Sequence, residues 1–260
     1  MQNMPVFCIL VRMDFTRTQR IEFFHLAFLE VLSKRLEPSR YVLKGGANLR
    51  YFFGSVRYSE DIDIDLLRPM PADLEGKVSG ILDSAPLALL LRTGGLEVSG
   101  FTAPKQTETT GRWKVSVTGA GEESRTKIEF SGRENDGAFR LDRLPMAVAT
   151  RYALPAPSAQ HYGIEAATAQ KVKALAGRSE TQARDVFDLD LLLRRRAISA
   201  GEIDADVLTE AAERAFELPF DAYRDQVLAF LEPDTLELYD GAEAWERMQT
   251  AVAGHLEAAR

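Results

Sequence analysis

The sequence predicts a mixed α/β fold (α+β) at the front of the chain, followed by an all-α module at the back. Residues 61–66 alternate strictly between acidic and aliphatic side chains, which is the period of a strand with one face on a core. From about residue 164 onward, apolar residues recur at helical spacing. Several prolines between residues 145 and 157 separate the two patterns. A chain of 260 residues can form two domains, which we place at 1–150 and 151–260.

The individual elements follow from periodicity and from the positions of glycine and proline. The front part is expected to contain, in order, a helix over 16–36, a strand Tyr41–Leu43, a Gly-Gly turn, a helix Ala47–Phe53, a strand over 61–66, a helix over 72–84 with Pro71 in its first turn, two strands at 96–101 and 113–117 joined by a long loop, and a strand over 125–130. The back part is expected to contain helices over 164–177, 181–196, 202–216, 221–231 and 240–258. Residues 1–12 are interpreted as an additional leader.

Composition excludes several classes of protein. The net charge of -7 excludes a histone-like, uniformly basic nucleic-acid binder. The single cysteine, Cys8, excludes an internal disulfide and a thiolate zinc site, and favours a reduced, cytoplasmic location. No apolar run approaches the ~20 residues that a membrane-spanning helix needs, so no membrane association is expected.

The charge is distributed unevenly along the chain. Residues 199–260 contain fifteen acidic and four basic residues, whereas residues 1–198 carry a net charge of +4. A polyanion is therefore expected to meet the front part of the chain. For a nucleic acid, the expected basic path consists of Arg50, Arg57, Lys105, Arg112 and Lys114.

Three aspartates, Asp61, Asp63 and Asp65, fall on one face of the predicted strand over 61–66. Side chains two residues apart on a strand lie about 6.6 Å apart, so these carboxylates repel unless something compensates them. A divalent cation with oxygen ligands would do so, and Glu129 on another strand could complete the cluster. The alternative is that the acids pair with Arg50, Arg57 or Lys127, and the sequence leaves both open.

A Gly-Gly turn precedes this strand in Leu43-Lys44-Gly45-Gly46, and Ser59-Glu60-Asp61-Ile62-Asp63 follows it. A glycine pair between a strand and a helix leaves backbone N–H groups free to bind phosphate. This combination resembles the signature of the nucleotidyltransferases of the DNA polymerase β superfamily. It is also similar to one branch of that superfamily, the AbiEii/AbiGii toxin family.

Two later segments extend the resemblance to about residues 40–195. Lys171-Val172-Lys173-Ala174-Leu175-Ala176-Gly177-Arg178 and Arg184-Asp185-Val186-Phe187-Asp188-Leu189 look like the helical motifs of that branch. Lys127-Ile128-Glu129 lies in the place of a third, strand-borne element. The resemblance implies a polymerase β-like nucleotidyltransferase core with a mixed β-sheet, followed by the helical module.

The resemblance also implies roles for individual residues. Asp61 and Asp63 match the ligands of catalytic Mg²⁺ or Mn²⁺, and Glu129 is a candidate third ligand. Lys171 matches a helical lysine that contacts nucleotide phosphate, and Asp185 either orients Lys171 or activates the acceptor hydroxyl. The residues expected near the nucleotide are Gly45, Gly46, Ser59, Arg178 and Asp188.

Simpler alternatives exist for four of these residues. Lys171 could lie only on a solvated helix face. Ser59 could make only a local turn contact. Arg178 could only favour the C-terminus of its helix through its charge. Asp188 could only brace its helix by an i, i+4 pair with Arg184. Stacking of Tyr51, Phe52 or Trp113 on a base is weighed in the same way against ordinary packing in a core.

The function implied by the resemblance is that of a bacterial toxin of a toxin–antitoxin or phage-defence system. Such a toxin transfers NMP from an NTP to an acceptor hydroxyl, for which the implied class is a tRNA 3′ end. The implied partner is a separately encoded antitoxin of the winged-helix type. The alternatives are transfer to a small molecule or a protein hydroxyl, and a non-catalytic module that binds a nucleotide or the antitoxin.

Overall fold

The computed structural model describes residues 14–67, 73–132, 138–199 and 201–260. The leader predicted for residues 1–12 and the predicted helix start at Pro71 lie outside the described residues. The helices are α1 (Arg17–Arg35), α2 (Gly45–Phe52), α3 (Leu74–Leu82), α4 (Ala85–Thr93), α5 (Met146–Arg151), α6 (Ile164–Gly177), α7 (Ala183–Arg195), α8 (Ala205–Phe216), α9 (Phe220–Gln226), α10 (Leu236–Tyr239) and α11 (Ala242–Ala258). The strands are β1 (Tyr41–Lys44), β2 (Asp61–Leu66), β3 (Leu96–Gln106), β4 (Thr110–Gly119), β5 (Glu122–Ser131), β6 (Phe139–Arg143) and β7 (Ser158–Tyr162).

A mixed sheet organises the front of the chain. Among the described residues it has seven strands in the order β3-β4-β5-β2-β1-β7-β6. The pairs β2–β5 and β1–β7 are parallel, and the other neighbouring pairs are antiparallel. The α+β class predicted from the sequence is confirmed by this sheet and the helices around it.

The strand β2 lies near the middle of the sheet and presents two different faces. Ile62 and Ile64 are fully buried in a core that they share with α1, α3 and α4. This burial of the aliphatic face fixes the register of β2, because a shift of one residue would place the aspartates in the core. Asp61, Asp63 and Asp65 therefore face the opposite side of the sheet, as the alternation predicts.

The helix α1 begins with a reciprocal cap, which explains why the helix starts where it does. The Thr16 hydroxyl accepts from the Gln19 backbone N–H at 3.3 Å, and the Gln19 side chain accepts from the Thr16 N–H at 2.9 Å. Phe24 and Phe28 of α1 pack into the same core as Ile62 and Ile64. The helix predicted over 16–36 is thus confirmed, with its end at Arg35.

The predicted strands 96–101 and 113–117 are parts of longer strands, and the long loop predicted between them is wrong. β3 and β4 run to Gln106 and from Thr110, so only residues 107–109 connect them. The polar residues between the two predicted strands suggested a loop. They belong to strands because β3 is a sheet edge, where polar side chains and Pro104 are tolerated. The register is irregular between Thr102 and Lys105, which accommodates this proline.

Several short elements were not predicted. The helix α4 begins at a Ser84 cap with a proline in its first turn, a pattern that the sequence analysis left unassigned. β6, α5 and β7 fall in the proline-containing region near residues 145–160, which we interpreted as a boundary. Because β7 pairs with β1 in the sheet, residues 158–162 belong structurally to the front part of the chain. The division at 150/151 stays a prediction.

The helices of the back part surround a second hydrophobic core. Trp245 of α11 stacks on Tyr223 of α9 with ring centroids 4.5 Å apart, and both rings are buried. The predicted helix over 221–231 ends earlier, at Gln226, and a 3₁₀ turn over Leu228–Phe230 follows it. The helix predicted over 202–216 begins at Ala205, with Asp204 as its side-chain cap.

A buried ionic cluster joins the front and back parts. Arg50 of α2 donates to Glu22 of α1 at 2.6 Å and to Glu232 at 2.6 Å. Tyr152 also donates to Glu22, at 2.5 Å, and Arg151 pairs with Glu232. The expectation that Arg50 lies on a basic path for nucleic acid is wrong, because its guanidinium is buried and paired.

The substitution Arg50→Ala is expected to destabilise the fold strongly. It leaves the buried Glu22 carboxylate without its cation, a loss that typically costs about 3–5 kcal/mol. Chemical denaturation at neutral pH measures this difference. The control is Arg125→Ala, which removes an exposed ion pair with Glu123 and should cost about 1 kcal/mol or less.

The effect of Arg50→Ala should also depend on pH. Burial would raise the pKa of Glu232, but Arg151 and Arg50 lower the pKa below its usual value. A lowered folded-state pKa contributes stability above the usual glutamate pKa of about 4.3, and this stability is lost as the pH falls through the folded-state value. The difference between wild type and variant should therefore narrow below about pH 4. A constant difference down to acidic pH would contradict this account of the cluster.

Candidate active site

The Gly-Gly turn connects β1 to α2 and brings the backbone close to two site residues. Gly45 has a φ of +65°, which favours glycine, and a Cβ at this position would lie 3.1 Å from Asp63 Oδ2. A Cβ on Gly46 would lie 2.7 Å from Ser59 Oγ and 3.2 Å from Arg57 Nη2. The two glycines therefore allow α2 to begin in contact with the residues around β2.

The three aspartates of β2 have different partners. Asp61 pairs with Lys127 of β5 at 2.7 Å, as one of the alternatives from the sequence predicted. Asp65 is buried, pairs with Lys44 and accepts from the Tyr162 hydroxyl at 2.8 Å. For the Asp63 carboxylate, the structure contains neither a hydrogen bond nor a salt bridge among the residues it describes.

The Asp63 carboxyl lies in an environment that disfavours its charge. Burial and the neighbouring Asp61 carboxylate raise its pKa, and Lys44 and Lys127 only partly offset this effect. A carboxylate in this situation is stabilised by a cation brought in from solution. Asp63 is therefore the strongest candidate metal ligand on β2.

Glu129 lies beside Asp63 but is already paired. The parallel register places Asp63 opposite Glu129 and Asp61 opposite Lys127. The Glu129 carboxylate is 2.7 Å from Arg112 Nη2, so it has a cation of its own. Within the described ranges, the side chains as placed form no group of three metal-ligating residues. The role of Glu129 as a third ligand stays a prediction.

Lys171 of α6 lies between two buried carboxylates. Its Nζ lies 2.8 Å from Asp185 Oδ1 and 2.7 Å from Asp188 Oδ2, and both aspartates come from α7. Burial alone would lower the pKa of Lys171, but Asp188 and Asp185 raise it above its usual value. Lys171 is therefore a fixed ammonium group and is unsuited to act as a base.

Asp188 connects the helical pair to the front part of the chain. It is completely buried and also accepts from Arg57, with Nη2 3.0 Å from Oδ2. Burial would raise the pKa of Asp188, but Arg57 and Lys171 lower it. The predicted alternative of an Asp188–Arg184 pair is wrong, and so is the expectation that Arg57 lies on a basic path for nucleic acid.

Asp185 is also completely buried, and its position favours one of its two predicted roles. One oxygen accepts from Lys171, and the other lies 2.9 Å from Arg178 Nε without hydrogen-bond geometry. A carboxylate enclosed in this way can orient Lys171. It has no exposed oxygen with which to reach an acceptor hydroxyl.

A cleft of about 470 Å³ lies between β1, β2 and α6, and we call it the Asp63 cleft. Of the residues predicted for the site, Gly45, Asp63, Lys171 and Arg178 line it. Two further cations also line it: Lys173 on α6, and Lys44 on β1, which lies beside Asp63 in the sheet and pairs with Asp65. Neither lysine was among the predicted site residues, although Lys44 directly precedes the glycine pair and Lys173 belongs to the same helical motif as Lys171.

Other predicted residues lie near the cleft without lining it. The Ser59 hydroxyl donates to the Asp61 carbonyl at 2.8 Å, the local contact that the sequence offered as the alternative. Gly46 packs on Ser59, as described above. Contact of Ser59, Gly46 and Asp188 with a nucleotide stays a prediction. Tyr51 and Trp113 are buried in the core, so neither is available to stack on a base.

Comparison with protein families identifies the chain. The model of the nucleotidyl transferase AbiEii toxin family, of type IV toxin–antitoxin systems, matches residues 27–259. The chain belongs to this family. The match includes the Asp63 cleft and both helical motifs, so this AbiEii-family protein is a nucleotidyltransferase. The resemblance proposed from the sequence is thereby confirmed.

Two solved structures have a similar fold. JHP933 from Helicobacter pylori aligns with a TM-score of 0.61 and 20% identity, over 94% of this chain and 93% of that chain. A second structure, described as that of a nucleotidyltransferase from the same organism, aligns with a TM-score of 0.61 and 20% identity, over 94% and 96% of the two chains. At this identity the likeness concerns the fold. Comparison with curated proteins gives no significant match.

Among the described residues, no helix combines the length and the apolar character that crossing a bilayer requires. The longest of these helices, α1, carries charged residues towards both ends, with Arg17, Arg20 and Glu22 in its first half and Glu30, Lys34 and Arg35 in its second half.

The substitution Gly46→Ala should perturb the site. The new Cβ requires Ser59 and Arg57 to move, because both lie closer than an ordinary contact allows. We expect a cost of about 1–3 kcal/mol in unfolding free energy and a loss of activity larger than the loss of folded protein. Denaturation and NTP turnover on the same preparations measure both. Gly80→Ala, on an open surface of α3, is the control and should stabilise slightly or change nothing.

Proposed function

We propose that this AbiEii-family protein is a metal-dependent toxin that transfers NMP from an NTP to the 3′ end of tRNA. The observation that supports this reaction best is the Asp63 cleft, in which an unpaired carboxylate lies across from ion-paired Lys171. Nucleotidyl transfer is catalysed mainly by positioning and by charge, without covalent chemistry from the protein. The cleft combines a candidate metal ligand with cations for phosphate.

The donor set fits a magnesium ion. Mg²⁺ in nucleotide sites is bound through one or two carboxylates, and substrate phosphates and water complete its octahedral shell. Asp63 and Asp61 would supply such a pair, since the two carboxylates share one face of β2 and no group of three is found among the described residues. The bound ion would neutralise charge on the triphosphate and activate the acceptor hydroxyl. Mn²⁺ has the same preference for oxygen ligands.

Lys171 would bind the triphosphate as a permanent cation. Its ammonium group is held by Asp185 and Asp188, so it needs little reorganisation when the substrate arrives. Lys173 and Arg178 add positive charge on the same wall, and Lys44 of β1 adds charge from the sheet side. Gly45 would let the phosphates approach the backbone at the start of α2, where the helix dipole favours an anion.

The acceptor and the partner are proposed from family membership and charge. The family belongs to toxin–antitoxin systems, which supports a separately encoded antitoxin, for which we propose a winged-helix protein. A role in phage defence and a cytoplasmic location complete the proposal. The net charge of +4 over residues 1–198 supports an anionic acceptor such as tRNA at the front of the chain.

The experiment incubates the purified protein with each α-³²P-labelled NTP, Mg²⁺ and total bacterial RNA, followed by a denaturing gel. Wild type should label a tRNA-sized band. Asp63→Asn should reduce labelling on the order of a hundredfold or more, because metal-assisted stabilisation is worth several kcal/mol. Asp234→Asn, an exposed carboxylate of the back part, is the matched control and should label normally.

Other outcomes would change the acceptor or the function. Labelled protein without labelled RNA would assign a protein hydroxyl as the acceptor. Turnover of NTP with neither product would indicate a small-molecule acceptor. Absence of any turnover by a folded wild-type protein, with every NTP, would contradict the proposed transfer.

Metal binding can be tested without turnover. Mg²⁺ or Mn²⁺ alone should raise the melting temperature of wild type and leave that of Asp63→Asn unchanged. Without metal, Asp63→Asn should melt a few degrees higher than wild type at neutral pH, because an ionised carboxylate whose pKa is raised by burial opposes folding. Equal metal-induced shifts in both proteins would remove Asp63 from the metal site.

A further inference from the structure

A second cavity, of about 560 Å³, opens at the other end of α2. Its walls come from the end of α2, from the antiparallel strands β6 and β7, from the start of α6 and from the end of α7. We call it the arginine pocket, after Arg140, Arg143 and Arg195. The lining residues are Phe52, Phe53, Arg140, Asp142, Arg143, Pro145, His161, Gly163, Ile164 and Arg195.

The three arginines differ from most other arginines of the protein. Arg50, Arg57 and Arg196, for example, are each paired with one or two carboxylates. In the part of the chain that the structure describes, Arg140 and Arg195 have no carboxylate partner, and Arg143 donates only to the Ala156 carbonyl, at 3.1 Å. All three are exposed. Unpaired guanidinium groups that converge on one concave surface are suited to bind phosphate in a bidentate manner.

The acidic group of this pocket already has a hydrogen-bond partner. Asp142, the one carboxylate among the described lining residues, lies 3.0 Å from His161 Nε2. Glu165, just beyond the rim, pairs with Arg196 at 3.3 Å. The helix α6 begins at this pocket with Gly163, which offers no capping side chain, so its free N–H groups add to the positive potential. The arginine pocket therefore favours an anion.

Aromatic rings lie beside the arginines. Phe52 lines the pocket and stacks on the His161 ring with centroids 3.7 Å apart, and Phe53 lies next to it. Aromatic faces next to cations are typical of sites that bind single-stranded nucleic acid, where bases stack and arginines contact the backbone. Of the three aromatic residues considered for base stacking, Phe52 is the one that lines a cavity.

The arginine pocket and the Asp63 cleft lie at opposite ends of the same helix–helix contact. Leu49 of α2 and Ala167 of α6 line the Asp63 cleft, whereas Phe53 and Ile164, one turn away on each helix, line the arginine pocket. From Gly45 to Phe52 the distance along α2 is about 10 Å. A strand of a few nucleotides could span such a separation.

We propose that the arginine pocket binds a nucleotide unit of the acceptor strand, a few nucleotides from the 3′ end that enters the Asp63 cleft. The phosphate would lie on Arg140, Arg143 and Arg195, and the base would lie beside Phe52. This assignment rests on the proposed transfer to RNA. The pocket would hold the acceptor in register while the Asp63 cleft holds the NTP.

The test measures fluorescence anisotropy of a short single-stranded oligoribonucleotide that ends in CCA and carries a 5′ fluorescein. Arg140→Ala/Arg143→Ala should weaken binding about tenfold or more, and Arg195→Ala should weaken it in the same direction. The slope of log K against log salt should fall by about 0.7, since the one phosphate held by these arginines contributes about 0.7 on a single strand. The control Arg35→Ala/Arg92→Ala removes the same charge from two exposed arginines elsewhere and should change binding less than about twofold.

Two outcomes of these binding measurements would overturn the proposal. If the pocket variant and the control bind the oligonucleotide equally well, the proposal is overturned. If calorimetry shows that the pocket variant loses binding of adenosine monophosphate while oligonucleotide binding is retained, the pocket is a site for free nucleotides, and the acceptor-strand assignment is overturned.

Kinetics separate this proposal from the transfer reaction itself. The pocket variant should raise KM for RNA while leaving KM for NTP and kcat nearly unchanged, because the Asp63 cleft is intact. If RNA is never labelled but the pocket variant loses oligonucleotide binding, the transfer reaction fails and the binding site stands. If RNA labelling and its KM are the same in wild type and the pocket variant, the pocket has no role in holding the acceptor.

Discussion

The arrangement of the site depends on the buried carboxylate of Asp188. It accepts from Arg57, which follows α2, and from Lys171 on α6, so one anion holds cations from both parts of the chain. An unpaired charge at this depth would be costly, and each of the three groups therefore fixes the other two. The ammonium group that faces the cleft owes its position to this contact. The same ionic cluster therefore positions Lys171 in the site and holds the helical module on the sheet.

The two parts of the chain contribute groups of opposite charge to the site. The sheet supplies acidic groups, because the alternation of β2 places its aspartates away from the core. The helical module supplies cations, because α6 directs Lys171, Lys173 and the nearby Arg178 towards the same cleft. Charges of opposite sign thus approach each other from two structural layers, and the space between them remains open to a polyanionic substrate with its metal.

Local patterns in the sequence predicted the elements that matter most for the site. The alternation over 61–66 and the glycine pair are short-range signals; the first is confirmed as strand β2 and the second as the junction of β1 and α2, while binding of phosphate by the glycine pair stays a prediction. The partners of Asp188 were not found, because Arg57 lies 131 residues away and an i, i+4 arginine offered a plausible local substitute. β6 and β7 were not predicted because their sequences show no clear alternation. Their strand structure depends on pairing with the rest of the sheet. The identification of Lys171 came from resemblance, since its spacing alone suits a solvated helix face.

The contact between the glycine pair and β2 restricts how this region can vary among homologues. Positions 46 and 59 share one small volume, so a larger residue at one requires a smaller residue at the other. The choice of residue at position 45 is restricted more strongly, because its positive φ and the nearby Asp63 oxygen both disfavour a side chain. Sequence variation should therefore be correlated at 46 and 59, while position 45 should tolerate almost no replacement wherever Asp63 is retained.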